Sequence, residues 1–182
     1  MNNFYAFQGK RPRIGKNVFV APSAIVIGDV EIGDDSSIWY GTVLRGDVMP
    51  IRIGKRTNIQ DNCLVHVTSG VAGTYVGDEV TVGHSVVLHA TTVRDRCLVG
   101  MGSVLLDGSF VDTEAMVAAG SLVTPNTRVP SHVLAMGRPA RVVRPLTDAE
   151  KEHLIASAQG YVDVGAAFLS GDCVPCEPET IG

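Results

Sequence analysis

Aliphatic residues recur every six positions along most of this chain. Ile14, Val20, Val26, Ile32, Ile38 and Leu44 keep one phase. The phase slips near Pro50, resumes with Ile53, Ile59 and Val65, and resumes again with Val76, Val82 and Leu88. A last run holds Val93, Val99, Leu105, Val111, Val117, Val123 and Val129. Glycine often follows the aliphatic, as in Ile53-Gly54 and Val82-Gly83. A period of six matches neither a helix nor a single alternating strand. It matches a coil with flat faces, each face using one hexapeptide. The aliphatic points inward and stacks on its equivalent in the next coil. Glycine and small polar residues turn the corners. Neighbouring coils then pair as parallel strands about 4.8 Å apart. The pattern predicts an all-β solenoid, a parallel β-helix with a continuous ladder core. A β-sandwich of alternating strands would not hold one phase from Ile14 to Leu44.

The repeat stops near Val129, and Pro130, Pro139 and Pro145 predict an extended exit. Thr147-Asp148-Ala149-Glu150 reads as a capping box. After it, Leu154, Ile155, Ala158, Tyr161, Val162 and Leu169 follow a helical period, weakened by Gly160 and Gly165. The expected organisation is a β-helix domain over 1–145, a C-terminal α-helix packed on the coil over 146–170, and a loose polar tail over 171–182.

Composition narrows the function classes. The chain has 182 residues with 45% hydrophobic but only 5% aromatic content, and 20 glycines. Few aromatics and many glycines suit a narrow, regular interior. A net charge of −4 lacks the basic footprint that nucleic acid requires. The start, MNNFYAFQGKRPRIG, holds no apolar stretch of signal-peptide or membrane-helix length. The expected location is therefore cytoplasmic, with Cys63, Cys97, Cys173 and Cys176 as reduced thiols. Cys63 and Cys97 sit beside core aliphatics, and Cys173-Val174-Pro175-Cys176 has redox or metal spacing in a tail.

The stretch "VGHSVVLHA" places His84 and His89 in an apolar strand context. His89 follows the inward Leu88 and His66 follows the inward Val65, so both point outward by alternation. Leu88 to Val93 is five positions, a defect in the repeat. Three of the five histidines thus gather in a short window at an irregular site. Taken singly, each reads as a polar residue on an outer face. Taken together, three imidazoles with an open position are the ligand set of a catalytic zinc. Spacing leaves open whether one chain supplies all three. Arg45, Asp47, Asn58, Gln60 and Asp61 lie among the inward aliphatics nearby. Arg45 and Asp47 read equally as a surface ion pair. Gln60 follows Ile59 as His66 follows Val65, and its amide either orients a group near a metal or makes a corner. His132 and His153 fall outside the cluster.

"RGDVMPIRIGKRTNIQDNCLVHV", "VGDEVTVGHSVVLHATTV" and "VGMGSVLLDG" resemble the γ-class carbonic anhydrase family, from about Ile14 to the C-terminal helix. The resemblance implies a left-handed β-helix, forming a homotrimer with metal sites at the subunit interfaces. It implies zinc, or iron(II) or cobalt, held by His66 and His89 of one chain and His84 of its neighbour. Arg45 and Asp47 match a pair that ties subunits together. Gln60 and Asn58 match amides near the metal. Tyr161 matches a tyrosine by which the C-terminal helix reaches the active site.

Two features depart from the archetype. Val48 stands where an acidic residue follows Arg-Gly-Asp, and "VTSGVAGTY" lacks the acidic proton-shuttling loop. The chain matches the short form of the family. The expected function is metal-dependent, reversible hydration of carbon dioxide to bicarbonate by a metal-bound hydroxide. Gln60 would hold the hydroxide, and Asn58 or Tyr161 would help place substrate. The alternatives are an acyl-CoA thioesterase on the same metal site and a non-catalytic, metal-stabilised trimeric scaffold. A hexapeptide acyltransferase needs one histidine base and no metal, and three clustered histidines argue against it. No nucleic-acid or membrane partner is expected.

Overall fold

The structure, a computed structural model, describes residues 3–174, 176 and 178. Pro175, Glu177 and the last four residues of the expected tail lie outside the described residues, as do Met1 and Asn2 at the start of the chain. The chain winds a parallel β-solenoid of about seven turns, followed by one helix. Each turn has three faces, and each face contributes one inward residue to a ladder. One face stacks Val26, Leu44, Val65, Leu88, Leu105 and Val123, and will be called the histidine face. The next, the charged face, stacks Ile32, Ile53, Val76, Val93, Val111 and Val129. The third, the helix face, stacks Val20, Ile38, Ile59, Val82, Val99, Val117 and Ala135. Nearly all of these side chains are buried. Two long strands, Ile25–Ile32 and Val43–Ile53, bend round the corner between the first two faces and join them into one 12-stranded sheet.

A regular coil takes 18 residues, as between Lys16 and its hydrogen-bond partner Asp34. Later coils take 21, 23 and 17. Every departure falls on the corner between the histidine and charged faces. There the inward residues are nine positions apart from Leu44 to Ile53, eleven from Val65 to Val76, and five from Leu88 to Val93. At the other two corners the spacing stays at six. Gly41, Gly102, Gly108 and Gly120 take the left-handed backbone expected of corner glycines, but those at the charged–helix corner serve a different need. Left-handed backbone at the charged–helix corner is taken by Asn17, Asp35, Arg56, Glu79, Arg96 and Glu114 rather than by glycine. Gly33 and Gly54 are needed instead for close approach. A Cβ on Gly33 would lie 2.7 Å from the carbonyl carbon of Gly54, and one on Gly54 would strike Gly77.

The exit is not simply extended. Val133–Gly137 pairs antiparallel with Ala140–Pro145, so on the helix face the last coil edge is covered by its own continuation rather than left open. The helix then spans Asp148–Ser170, with the Thr147–Glu150 capping box in place and Gly171 as a left-handed cap. It runs back over the helix face. Leu154 and Ala158 are buried, and Tyr161 and Phe168 pack on Phe19 and Trp39 with ring centroids 5.0–5.6 Å apart. Gly165 faces Ser37 and Phe19, whose Cβ atoms lie at ordinary contact distance from where its own would be.

Cys63 and Cys97 are buried in the coil, their Sγ atoms against the carbonyls of Gly83 and Asp112. Burial pushes both thiols up to about 12. Cys173 and Cys176 are exposed. Titration of the native protein with a thiol reagent near pH 8 should label Cys173 and Cys176 quickly. Cys63 and Cys97 should stay silent until denaturant is added, and rapid labelling of all four would contradict the burial.

Candidate metal centre

The irregular corner carries the chemistry. Parallel pairing puts His66 directly opposite His89, one coil apart and both outward. Their rings lie 5.2 Å apart, with His66 Nδ1 3.2 Å from His89 Nε2. The far nitrogen of each ring faces a carboxylate. His66 Nε2 donates to Asp47 Oδ1 at 3.1 Å, and His89 Nδ1 donates to Asp107 Oδ1 at 2.6 Å. These contacts assign the tautomers. With each proton on the carboxylate side, two lone pairs point at one another. That contact is repulsive unless a proton or a metal cation sits between them. Two nitrogens of a tetrahedral zinc site, each about 2.0–2.1 Å from the metal, lie about 3.3 Å apart. The observed spacing matches, and the donor set fits a divalent metal.

The remaining parts of the corner hold this geometry. Asp47 also pairs with the Arg45 guanidinium and accepts the Val48 N–H. Partial burial pushes the Asp47 carboxyl up, but the His66 and Arg45 contacts outweigh it and hold the group below the usual carboxylate range. Asp107 is held low by the Thr68 hydroxyl, which donates to Oδ2 at 2.7 Å, and then by His89. Thr68 belongs to the insertion between Val65 and Val76. Thr74, at the end of that insertion, donates to the His66 carbonyl at 2.5 Å. Ala90, next to His89, takes a left-handed conformation with φ 48°, the cost of the shortened corner, and donates its N–H to the same carbonyl.

His84 lies elsewhere. It follows Gly83 at the corner between the helix and histidine faces, where Nδ1 donates to Asp61 Oδ2 at 2.8 Å. Its side chain is 43% exposed, with Nε2 left for another partner. Within one chain, no third ligand joins His66 and His89 among the described residues. Gln60 lies beside His84, lining the same cavity as Tyr161 and Ser157. Gln60 donates to Asn58 Oδ1 at 3.0 Å, and Asn58 donates to Thr81 Oγ1 and the Val80 carbonyl. Asn58 is fully buried and positions Gln60. Tyr161 stands edge-on to Trp39, and burial, then the Asp61 charge, push its phenol upward. The structure therefore gathers His66, His89, Asp47 and Arg45 at one corner, and His84, Gln60, Asn58 and Tyr161 at another. His132 and His153 are exposed and distant from both in the coil order.

Between the two corners runs the histidine face. Its outward residues, Ile25, Val43, Leu64, Val87, Val104 and Leu122, form an aliphatic strip, with Leu64 44% exposed. The outward residues of the charged face include Arg13, Glu31 and Arg52, joined in an ion-pair ladder. Sequence reading missed Asp107 and Thr68. Asp107 is 18 positions beyond His89, one residue past the 17-residue coil from Leu88 to Leu105, so the shortened corner hid the pairing.

Comparison with known proteins places these features in context. Two hexapeptide families match: the bacterial transferase hexapeptide over residues 11–46 and the hexapeptide repeat of succinyl-transferase over 50–90. The chain is 56% identical over 166 residues to gamma carbonic anhydrase 2, mitochondrial, of Arabidopsis thaliana, covering 88% of this chain and 60% of that one. It thus spans about three-fifths of the length of that relative. It is 44% identical to a carbonic anhydrase of Geobacillus kaustophilus, covering 90% of each chain. A crystal structure from Bacillus cereus, described as a putative acetyltransferase, superposes with a TM-score of 0.90 at 40% identity, covering 93% of this chain and 99% of that one.

If Asp107 orients His89, Asp107→Asn should weaken metal binding about 10- to 100-fold with the fold intact. Competition with a chromophoric chelator measures this, and an unchanged affinity would remove Asp107 from the site.

Proposed function

The chain belongs to the γ-class carbonic anhydrase family, and from that premise we propose that it hydrates carbon dioxide reversibly to bicarbonate at metal centres shared between the subunits of a homotrimer. The observation that carries this reading is the pair of imidazole lone pairs, His66 Nδ1 and His89 Nε2, converging at 3.2 Å. His66 and His89 would hold the metal from one subunit, and His84 of a neighbour would complete the three-imidazole set. Imidazole donors suit zinc, and also iron(II) or cobalt(II). When bound, the metal supplies a Lewis acid that yields a nucleophile from water near neutral pH.

The shape of the face supports this assembly. The aliphatic strip has one histidine corner on each side. A head-to-tail contact sets the His84 corner of one subunit against the His66–His89 corner of the next, and three such contacts close a ring. The strip is then buried around the axis, which accounts for an outer column of Ile, Val and Leu beside a charged neighbouring face.

The other residues take roles set by their contacts. Asp47, Asp107 and Asp61 fix the tautomer and aim of His66, His89 and His84. Gln60, held by Asn58, offers its amide to an oxygen in the site. Tyr161 keeps its proton and can donate to substrate. Among the described residues no free carboxylate stands at the histidines to accept a released proton, because the three there are each engaged by a ring nitrogen. Acyl transfer with a single histidine base would leave the convergent pair and its carboxylates without a purpose.

Protein purified anaerobically should carry about one metal ion per chain and hydrate carbon dioxide in stopped flow, with a rate that climbs with buffer concentration. His89→Ala should lose both metal and turnover. Metal without turnover would contradict the reaction, and a trimer that takes up no metal would contradict the site. A high rate independent of buffer would contradict the proton route.

A further inference from the structure

The corner column that begins with Trp39 and Gln60 continues with Gly83, Gly100 and Ala118, because Ile38, Ile59, Val82, Val99 and Val117 stack in register just before them. Large side chains fill the column in the upper coils, and almost nothing fills it below. A Cβ on Gly83 would lie 2.8 Å from the Met101 nitrogen, and one on Gly100 would lie 2.4 Å from the Ala119 nitrogen. Coil stacking therefore keeps the floor bare. The result is a trough of about 390 Å³. Leu98 and Met116 wall one side, and His84 and Met101 the other. Met101, one coil beyond His84 and 58% exposed, is an adaptable thioether rim on the side that the proposed trimer turns toward the neighbouring subunit. Gln60, Thr81, Ser157 and Tyr161 make the polar upper end.

A trough of this kind is oversized for carbon dioxide. Its floor runs about 10 Å, two coil spacings. It is slender, apolar along its length and polar at one end. Gln60 is 5% exposed and donates one amide hydrogen to Asn58, leaving a second N–H directed to a ligand. Tyr161 supplies a protonated hydroxyl. Asp61 places negative charge near that end, so without a metal a neutral head group is favoured there over a carboxylate. We propose that the trough binds an unbranched aliphatic acyl group, its neutral carbonyl at Gln60 and Tyr161 and its chain along Gly83, Gly100 and Ala118. The site shares Gln60 and His84 with the proposed metal centre, and so rests in part on that reading, but the binding itself requires no turnover.

Linear methyl ketones carry the same neutral carbonyl and do not hydrolyse. Titration calorimetry of the metal-loaded protein with 2-butanone through 2-nonanone should show affinity rising about fourfold per methylene until the trough is full. On metal-free protein, where no cation can hold a carboxylate, octanoate should bind more weakly than the ketone of matching length, which separates an ester-like or thioester source from a free acid. Ala118→Leu fills the floor and should abolish the dependence on chain length. Should that variant fail to assemble, Leu98→Ala removes a wall and should weaken the longest ketone at least threefold. Affinity that does not vary with chain length, or that survives Ala118→Leu unchanged, would overturn the proposal. Carbon dioxide hydration measured on the same preparations keeps the two readings apart. Ketone binding without hydration sinks the reaction and leaves the trough, and hydration without ketone binding does the reverse.

Discussion

Coil-to-coil hydrogen bonding, locked in register by the inward aliphatic ladder, is the constraint on which the rest of this structure depends. Once Val65 stacks on Leu88, every outward side chain is assigned to a column. His66 then has no choice but to face His89, and Gln60 to stand above Gly83. The ladder is also what makes local irregularity tolerable. The corner that bears the histidines takes up insertions and a deletion, yet the faces on either side keep their pairing. A solenoid distributes stability over nearest-neighbour contacts between coils. One strained corner, with Ala90 in a left-handed conformation, is carried by the regular coils above and below it.

The same geometry divides the chemistry. A three-sided prism cannot bring residues from two different corners together, so His84 cannot meet His66 and His89 within its own coil. The aliphatic strip between those corners resolves this, because burying the strip in a ring is also what would bring the corners of neighbouring subunits into contact. Metal binding and assembly become one event in this view, and each carboxylate–histidine pair prepares one side of the interface for it.

Much of this was legible in the chain. The six-residue phase identified the solenoid, alternation turned His66 and His89 outward, and the Thr147–Glu150 box located the helix start. These are local signals, readable over a few residues. What was not legible depends on coil length. Asp107 meets His89 across 18 positions, but Asp47 meets His66 across 19 and Asp61 meets His84 across 23. Without knowing where each coil gains or loses residues, no fixed offset finds all three partners. The role of Asn58 was hidden for a related reason. Its position suggested a group in the site, whereas its burial makes it the support for Gln60. The terminal hairpin was also missed, since three prolines mark a break in the repeat without saying that the chain turns back on itself.

The most direct test of the account is complementation between subunits. His84→Ala and His89→Ala chains, each inactive alone, are unfolded together, refolded at equal amounts, and assayed for bound metal and carbon dioxide hydration. If each centre draws His89 from one chain and His84 from the next, random mixing leaves about one quarter of the sites intact. The account predicts metal and activity near that fraction of wild type. Mixed trimers with neither metal nor activity would show that the three histidines do not meet across an interface, and would contradict it.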